Sequence, residues 1–166
     1  MKIADKNLGY YWSIVKWPFV VYIVAGIVLS VLSYISPFFS LLILPVLILV
    51  IAYVGWITVK KKDGSIVNAA ISGVFFGLIM GIISVILIIV SSFVVMSLLP
   101  PLPSYSDEIF SDSPAVDALS KINMLVSKVI FIFVMVGIFV LPPFYAIISA
   151  IIATIAGFIA KQTMKK

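Results

Sequence analysis

Residues 65–99 read SIVNAAISGVFFGLIMGIISVILIIVSSFVVMSLL, thirty-five positions without one Asp, Glu, Lys or Arg. At 1.5 Å per residue a helix of that length is about 50 Å long, well beyond the ~30 Å of hydrocarbon that about 20 apolar residues cross. Backbone amides in lipid have no water to bond, so the segment must be a helix or part of a closed barrel. It lacks the two-residue alternation of a barrel strand, and a helix follows. Within it Ser65, Ala69, Gly73, Gly77 and Gly81 recur at every fourth position. Small residues at that spacing share one helix face and let a neighbouring backbone come close.

Upstream, the charged turn Lys60-Lys61-Lys62-Asp63-Gly64 separates this helix from a second uncharged block, Trp17 to Val59. That block holds enough chain for two crossings, and Ser36-Pro37 divides it, because proline cannot continue the helical hydrogen-bond ladder. Spans are expected over 17–36 and 38–59, the second with a kink at Pro45. Residues 1–16 mix Ile3, Leu8, Tyr11, Trp12 and Val15 with Lys2, Asp5, Lys6 and Lys16. This pattern suits a short N-terminal helix lying in the headgroup region, anchored by Trp12 and Trp17. No small-x-small cleavage pattern ends the apolar run after it, so the run is read as a retained first span.

Downstream, residues 100–121 are rich in proline and serine and carry Asp107, Glu108, Asp112 and Asp117. They read as an exposed acidic loop on the extracellular side, with a short helix starting near Ala115. Residues 122–160 turn apolar again, interrupted by Lys128 and by Pro142-Pro143, and are expected to form one long fourth helix kinked at the two prolines. Near its end Ser149, Ala153 and Gly157 make a second row of small residues, the natural partner of the first. The chain is therefore an all-α polytopic membrane protein, with a single transmembrane domain over residues 17–166.

Charge sets the expected orientation. Nine lysines on the two ends and the 60–62 turn, against Asp5 and Asp63, leave +7 on one side. Lys121 and Lys128 against four acids leave −2 on the other, and the two sides together give the net +5. Cytoplasmic segments carry the lysine excess, so both termini are expected inside a plasma membrane. Splitting the last helix at Pro142-Pro143 would move Lys161, Lys165 and Lys166 outside and leave only the 13 residues Val129–Leu141 to cross.

There is no Cys and no His among the 166 residues. Disulfides, zinc and haem sites, and nucleophiles that depend on a histidine base lose their essential side chain, so no cofactor, metal or catalytic residue is expected. The lysines sit at span ends without an aromatic-basic recognition surface, and nucleic acid is not an expected partner. Ser30, Ser33, Tyr34, Ser72, Ser84, Ser91, Ser92, Tyr145, Ser149 and Thr154 are the polar groups within the spans. A hydroxyl there can return a hydrogen bond to a carbonyl one turn back. Asn68, near the inner boundary, is expected to cap or bridge helices.

The stretch Lys60 to Gly81, with its basic cluster, Asp-Gly turn and small residue at every fourth position, resembles that of small uncharacterised four-span membrane proteins of archaea and bacteria. The likeness covers about an eighth of the chain and implies a prokaryotic plasma membrane, with no functional residue to carry over. The expected function is non-enzymatic, exerted through helix–helix contacts as a structural, assembly or accessory subunit. Membrane lipids surround it, and the expected partner is a second copy or another membrane protein. The alternative is a small oligomeric channel or transporter for a neutral or apolar solute, since no charge within the spans is available for ion coupling. In intact cells an impermeant amine reagent should modify Lys121 and Lys128 and spare Lys161, Lys165 and Lys166; modification of the C-terminal lysines from outside would invert the topology.

Overall fold

A computed structural model of the chain describes residues 2–3, 5–98 and 114–164. Two short strands, β1 (Lys2–Ile3) and β2 (Lys6–Asn7), pair antiparallel ahead of five helices. These are α1 (Leu8–Ser33), α2 (Phe38–Leu41), α3 (Ile43–Lys60), α4 (Ile66–Leu98) and α5 (Pro114–Thr163). Four stretches are long and apolar enough to span a bilayer, namely Leu8–Ser33, Phe38–Lys60, Ile66–Val94 and Met124–Thr163. The fold is all-α and polytopic, with the strand pair a two-rung ornament at one end.

The N-terminal region departs from expectation. Residues 1–16 are not a separate interfacial helix: the strand pair turns at Asp5, which takes a left-handed φ of 66°, and α1 starts at Leu8. Asn7 caps it, its Oδ1 accepting from the backbone N–H of Tyr10 at 2.9 Å. Proline inside a helix removes one ladder bond, yet α1 passes through Pro18 without interruption. Tyr11, Ile14, Val15 and Pro18 all face the protein interior, so tertiary burial holds the first turns in register with the span. The candidate span is thus one helix over residues 8–33, against the expected 17–36.

Proline chemistry also relocates the break in the second span. The chain turns between Ser33 and Pro37, and the short α2 ends at Leu41, with Leu42 between it and α3. Pro45 is then the third residue of α3, within the first turn, where backbone N–H groups have no intrahelical acceptor to lose. The break in the Phe38–Lys60 stretch falls at Leu42, within one turn upstream of Pro45. Pro114 likewise lies in the first turn of α5, which begins eight residues before the expected 122 and absorbs the end of the loop placed at 100–121. Residues 99–113, with Asp107, Glu108 and Asp112, lie outside the described residues. At the far end α5 remains helical through Pro142 and Pro143.

The chain divides into two compact units, one of Met1–Gly81 with Pro142–Lys166, the other of Ile82–Leu141. The first has a core of Ile14, Val15, Ile51, Val54, Phe76, Met80 and Ala153, drawn from all four spanning helices. A second cluster, Val59, Ala69 and Ala160, continues it toward the 61–64 turn. In the other unit Gly137 lies against Ile88, while Ser91 and Ser92 bond back to the Leu87 and Ile88 carbonyls. Large apolar side chains are exposed along every spanning helix, with Trp17 at 67% and Phe139 at 74%. Such a surface is untenable in water and ordinary in lipid.

Candidate helix-packing site

The small residues of α4 meet the second half of α5 as antiparallel helices. A side-chain carbon placed on Gly73 would lie 2.7 Å from Ala153 Cβ and collide with the Ser149 carbonyl. One on Gly77 would strike the Tyr145 carbonyl and the Cα of Ala146, and one on Gly81 would strike Pro142. From the other side, a carbon on Gly157 would approach Ala69 Cβ to 2.8 Å and Val59 Cγ2 to 3.1 Å. The register runs Ala69–Gly157, Gly73–Ser149/Ala153, Gly77–Tyr145/Ala146, Gly81–Pro142. One turn of α4 thus answers one turn of α5 along the whole row, with Ala69, Ser149 and Ala153 fully enclosed. Contacts this close exclude any Cβ at the glycines, and in lipid they replace the hydrophobic drive that water would supply.

Ser65 belongs to the row by spacing and has another task. Its Oγ accepts from the Asn68 N–H at 3.2 Å and its carbonyl from the Ala69 N–H at 3.0 Å, so it caps α4. A participant outside both rows is Gly55 of α3, whose Cβ position is filled by the Ala153 backbone. Three helices therefore converge on Ala153 and Gly157. The flanking sequence Val54-Gly55-Trp56 has no small residue four positions away on either side, so no periodic signal exposes Gly55.

At the end of this seam nearest the 61–64 turn lies a buried polar cluster. Tyr11 of α1 donates its hydroxyl to Asn68 Oδ1 of α4 at 3.0 Å. Thr58 of α3 and Ser72 of α4 have their hydroxyl oxygens 3.2 Å apart, with Val54 and Asn68 carbonyls as further acceptors at 2.7 and 2.9 Å. Each hydroxyl has a single proton, so when Ser72 donates to the Asn68 carbonyl, Thr58 donates either to Ser72 or to Val54. Among the described residues no buried side-chain nitrogen or oxygen lacks a partner. Asn68 bridges helices as expected; Tyr11 and Thr58 complete a set that periodicity alone does not reveal. The hydroxyls of Ser33, Ser91, Ser92 and Thr154 bond to carbonyls one turn back.

The turn is clamped to this cluster from outside. Tyr10 donates to the Lys62 carbonyl at 3.2 Å, and the Gly64 N–H donates to the Thr58 carbonyl at 2.9 Å. Asp63 takes a left-handed φ of 48°, and a side chain on Gly64 would run into Tyr10 Oη and the Thr58 carbonyl. Around the same end stand Trp12 edge-on to Phe75, Tyr53 stacked on Trp56, and Lys60 with its Nζ 4.7 Å from the centre of the Trp56 ring. Indoles and lysines of this kind are the residues enriched at membrane–water interfaces. Chemically the arrangement can hold helices in register. Among the described residues no group of three or more His, Cys, Asp or Glu side chains gathers in one place.

Two measurements test this site. Gly77→Ala should destabilise the protein in mild detergent by about 1–3 kcal/mol, the usual result of overpacking. Gly26→Ala, where a side-chain carbon would meet open space, should be neutral or stabilising by up to about 1 kcal/mol through helix propensity. Equal effects of the two in thermal or denaturant unfolding would remove the seam from the account. Tyr11→Phe should weaken the fold by about 0.5–2 kcal/mol, and its combination with Asn68→Leu should fall short of the sum of the two single losses. Strict additivity in that cycle would show that the two side chains are not coupled. Compared with family models, with curated proteins and with solved structures, the chain matches none.

Proposed function

We propose that this chain is a non-enzymatic, multi-pass protein of the cell membrane, with cytoplasmic termini, that works through helix–helix contacts as a structural, assembly or accessory subunit. The observation that carries this reading is the apolar length of α4 and α5. α4 contains 33 residues and the apolar part of α5, Met124–Thr163, contains 40, about 50 and 60 Å of helix, against a ~30 Å hydrocarbon core. Within Ile82–Leu141 the side chains of Ile86, Phe93, Phe131 and Phe139 are all more than half exposed. Tilt accommodates part of the excess, and an apolar surface on the remainder needs cover from protein. The glycine row is already engaged within the chain, so a partner would use this outer apolar surface instead.

The absence of Cys makes the test clean. Single cysteines at Phe93 and Phe139 should crosslink to another polypeptide, or to a second copy, when native membranes are treated with a short bifunctional thiol reagent. A cysteine at Val28, exposed on α1 in the other unit, should not. Crosslinks equally absent from all three positions, together with a strictly monomeric protein in mild detergent, would dispose of the proposal.

A second reading, a small channel or transporter for a neutral or apolar solute, draws on Pro142-Pro143. Their missing N–H groups leave the Ile138 and Phe139 carbonyls without the donors four residues on, and such carbonyls can line a polar path. Flux of uncharged solutes in proteoliposomes separates the two readings.

A further inference from the structure

The outer surface of the α1–α3 pair carries a groove of about 430 Å³, lined by Trp17, Pro18 and Val21 of α1 and by Val46, Leu49 and Tyr53 of α3. The two helices run in opposite directions, so Trp17 and Tyr53 stand at one end of it and Val21 and Val46 at the other. From Tyr53 to Val46 is seven residues, about 10 Å along the helix axis. The lining is almost wholly apolar, and no carboxylate contributes to it.

The aromatic end is also the basic end. Lys16 directly precedes Trp17 and is exposed. Tyr53 stacks on Trp56 with ring centres 6.3 Å apart, and Lys60 places its Nζ 4.7 Å from the Trp56 centre. An apolar slot thus opens toward two aromatic rings, with Lys16 beside Trp17 on α1 and Lys60 at the end of α3. An amphiphile with an anionic head and a hydrocarbon tail is complementary to that order of chemistry, because lysines near a membrane surface attract anionic lipids and apolar side chains accept acyl chain.

We propose that the Trp17–Tyr53 groove is a binding site for one anionic phospholipid, its acyl chain along Val21 and Val46 and its phosphate held by Lys16 and Lys60. The site selects headgroup charge, and it stands whether or not the helix-contact function does.

The full chain has three tryptophans, so Trp12→Phe with Trp56→Phe leaves Trp17 as the only indole and keeps an aromatic ring beneath Lys60. This protein is reconstituted in phosphatidylcholine vesicles containing a minority of mid-chain-brominated lipid, either phosphatidylglycerol or phosphatidylcholine. Quenching of Trp17 should report a preference for phosphatidylglycerol on the order of fivefold for each lysine engaged. Lys16→Gln and Lys60→Gln should each remove about one such factor, while Lys2→Gln and Lys161→Gln leave the preference nearly intact. Val46→Phe, which fills the far end, should abolish the preference at unchanged helix content; Leu49→Phe serves if that variant does not fold. Equal quenching by the two lipids overturns the proposal. So does an equal loss of preference for all four lysine variants, which means surface charge alone, or a preference that survives both groove-filling changes.

Discussion

Every feature of this protein follows from the scarcity of partners for polar groups in hydrocarbon. A backbone amide within the bilayer must be bonded inside its own helix, which is why Trp17–Val59, Gly64–Ser106 and Val129–Ala160 contain no charge and the described part of each is almost wholly helical. The same solvent removes the usual reason for helices to associate, since a leucine gains little by leaving lipid for protein. Cohesion falls to two other sources, van der Waals contact at short range and a few hydrogen bonds that have no competitor.

The first unit uses both, and in order. Where α3, α4 and α5 converge, Gly55, Gly73 and Gly157 omit the side chains that would keep backbones apart, and Ala69, Ser149 and Ala153 supply the smallest surfaces that still fill the space. Toward the 61–64 turn the seam gives way to Tyr11, Thr58, Asn68 and Ser72, whose hydrogen bonds join α1, α3 and α4. Packing of small residues is indifferent to sliding by one turn, since Gly73, Gly77 and Gly81 repeat. Bonds from Tyr11 to Asn68 and between Thr58 and Ser72 are not, and so the polar cluster fixes the register of α1 and α3 on α4, while α5 is held by the small-residue contacts.

The long uncharged runs made the helix count and the all-α class legible, because lipid length is a coarse ruler that tolerates errors of a few residues. The ends were less legible. Asn7 and Ser65 cap helices through hydrogen bonds that depend on local backbone geometry, and Pro18 reads as a stop unless the burial of Tyr11, Ile14 and Val15 is known. Pro45 and Pro114 have the same composition signal as a kink, yet each lies in a first turn where proline is harmless. The row from Ala69 to Gly81 was visible through its period. Gly55 and Thr58 were not, since their neighbours are chosen by tertiary position and leave no repeat in the chain.

The boundary between the two units has a cause in the same residues. It falls at Gly81 on α4 and at Pro142 on α5, the last pair of the seam. Continuing the step of four beyond Gly81 meets Val85, Ile89 and Phe93, and continuing back from Pro142 meets Ile138 and Val134. Branched and aromatic side chains at those positions forbid the backbone approach that glycine allows, so the seam cannot propagate past this point whatever the helices do beyond it. The tandem prolines stand there as well, where α5 loses two ladder donors and is easiest to bend. Close packing of the small-residue seam thus ends at the place where the helix is least stiff.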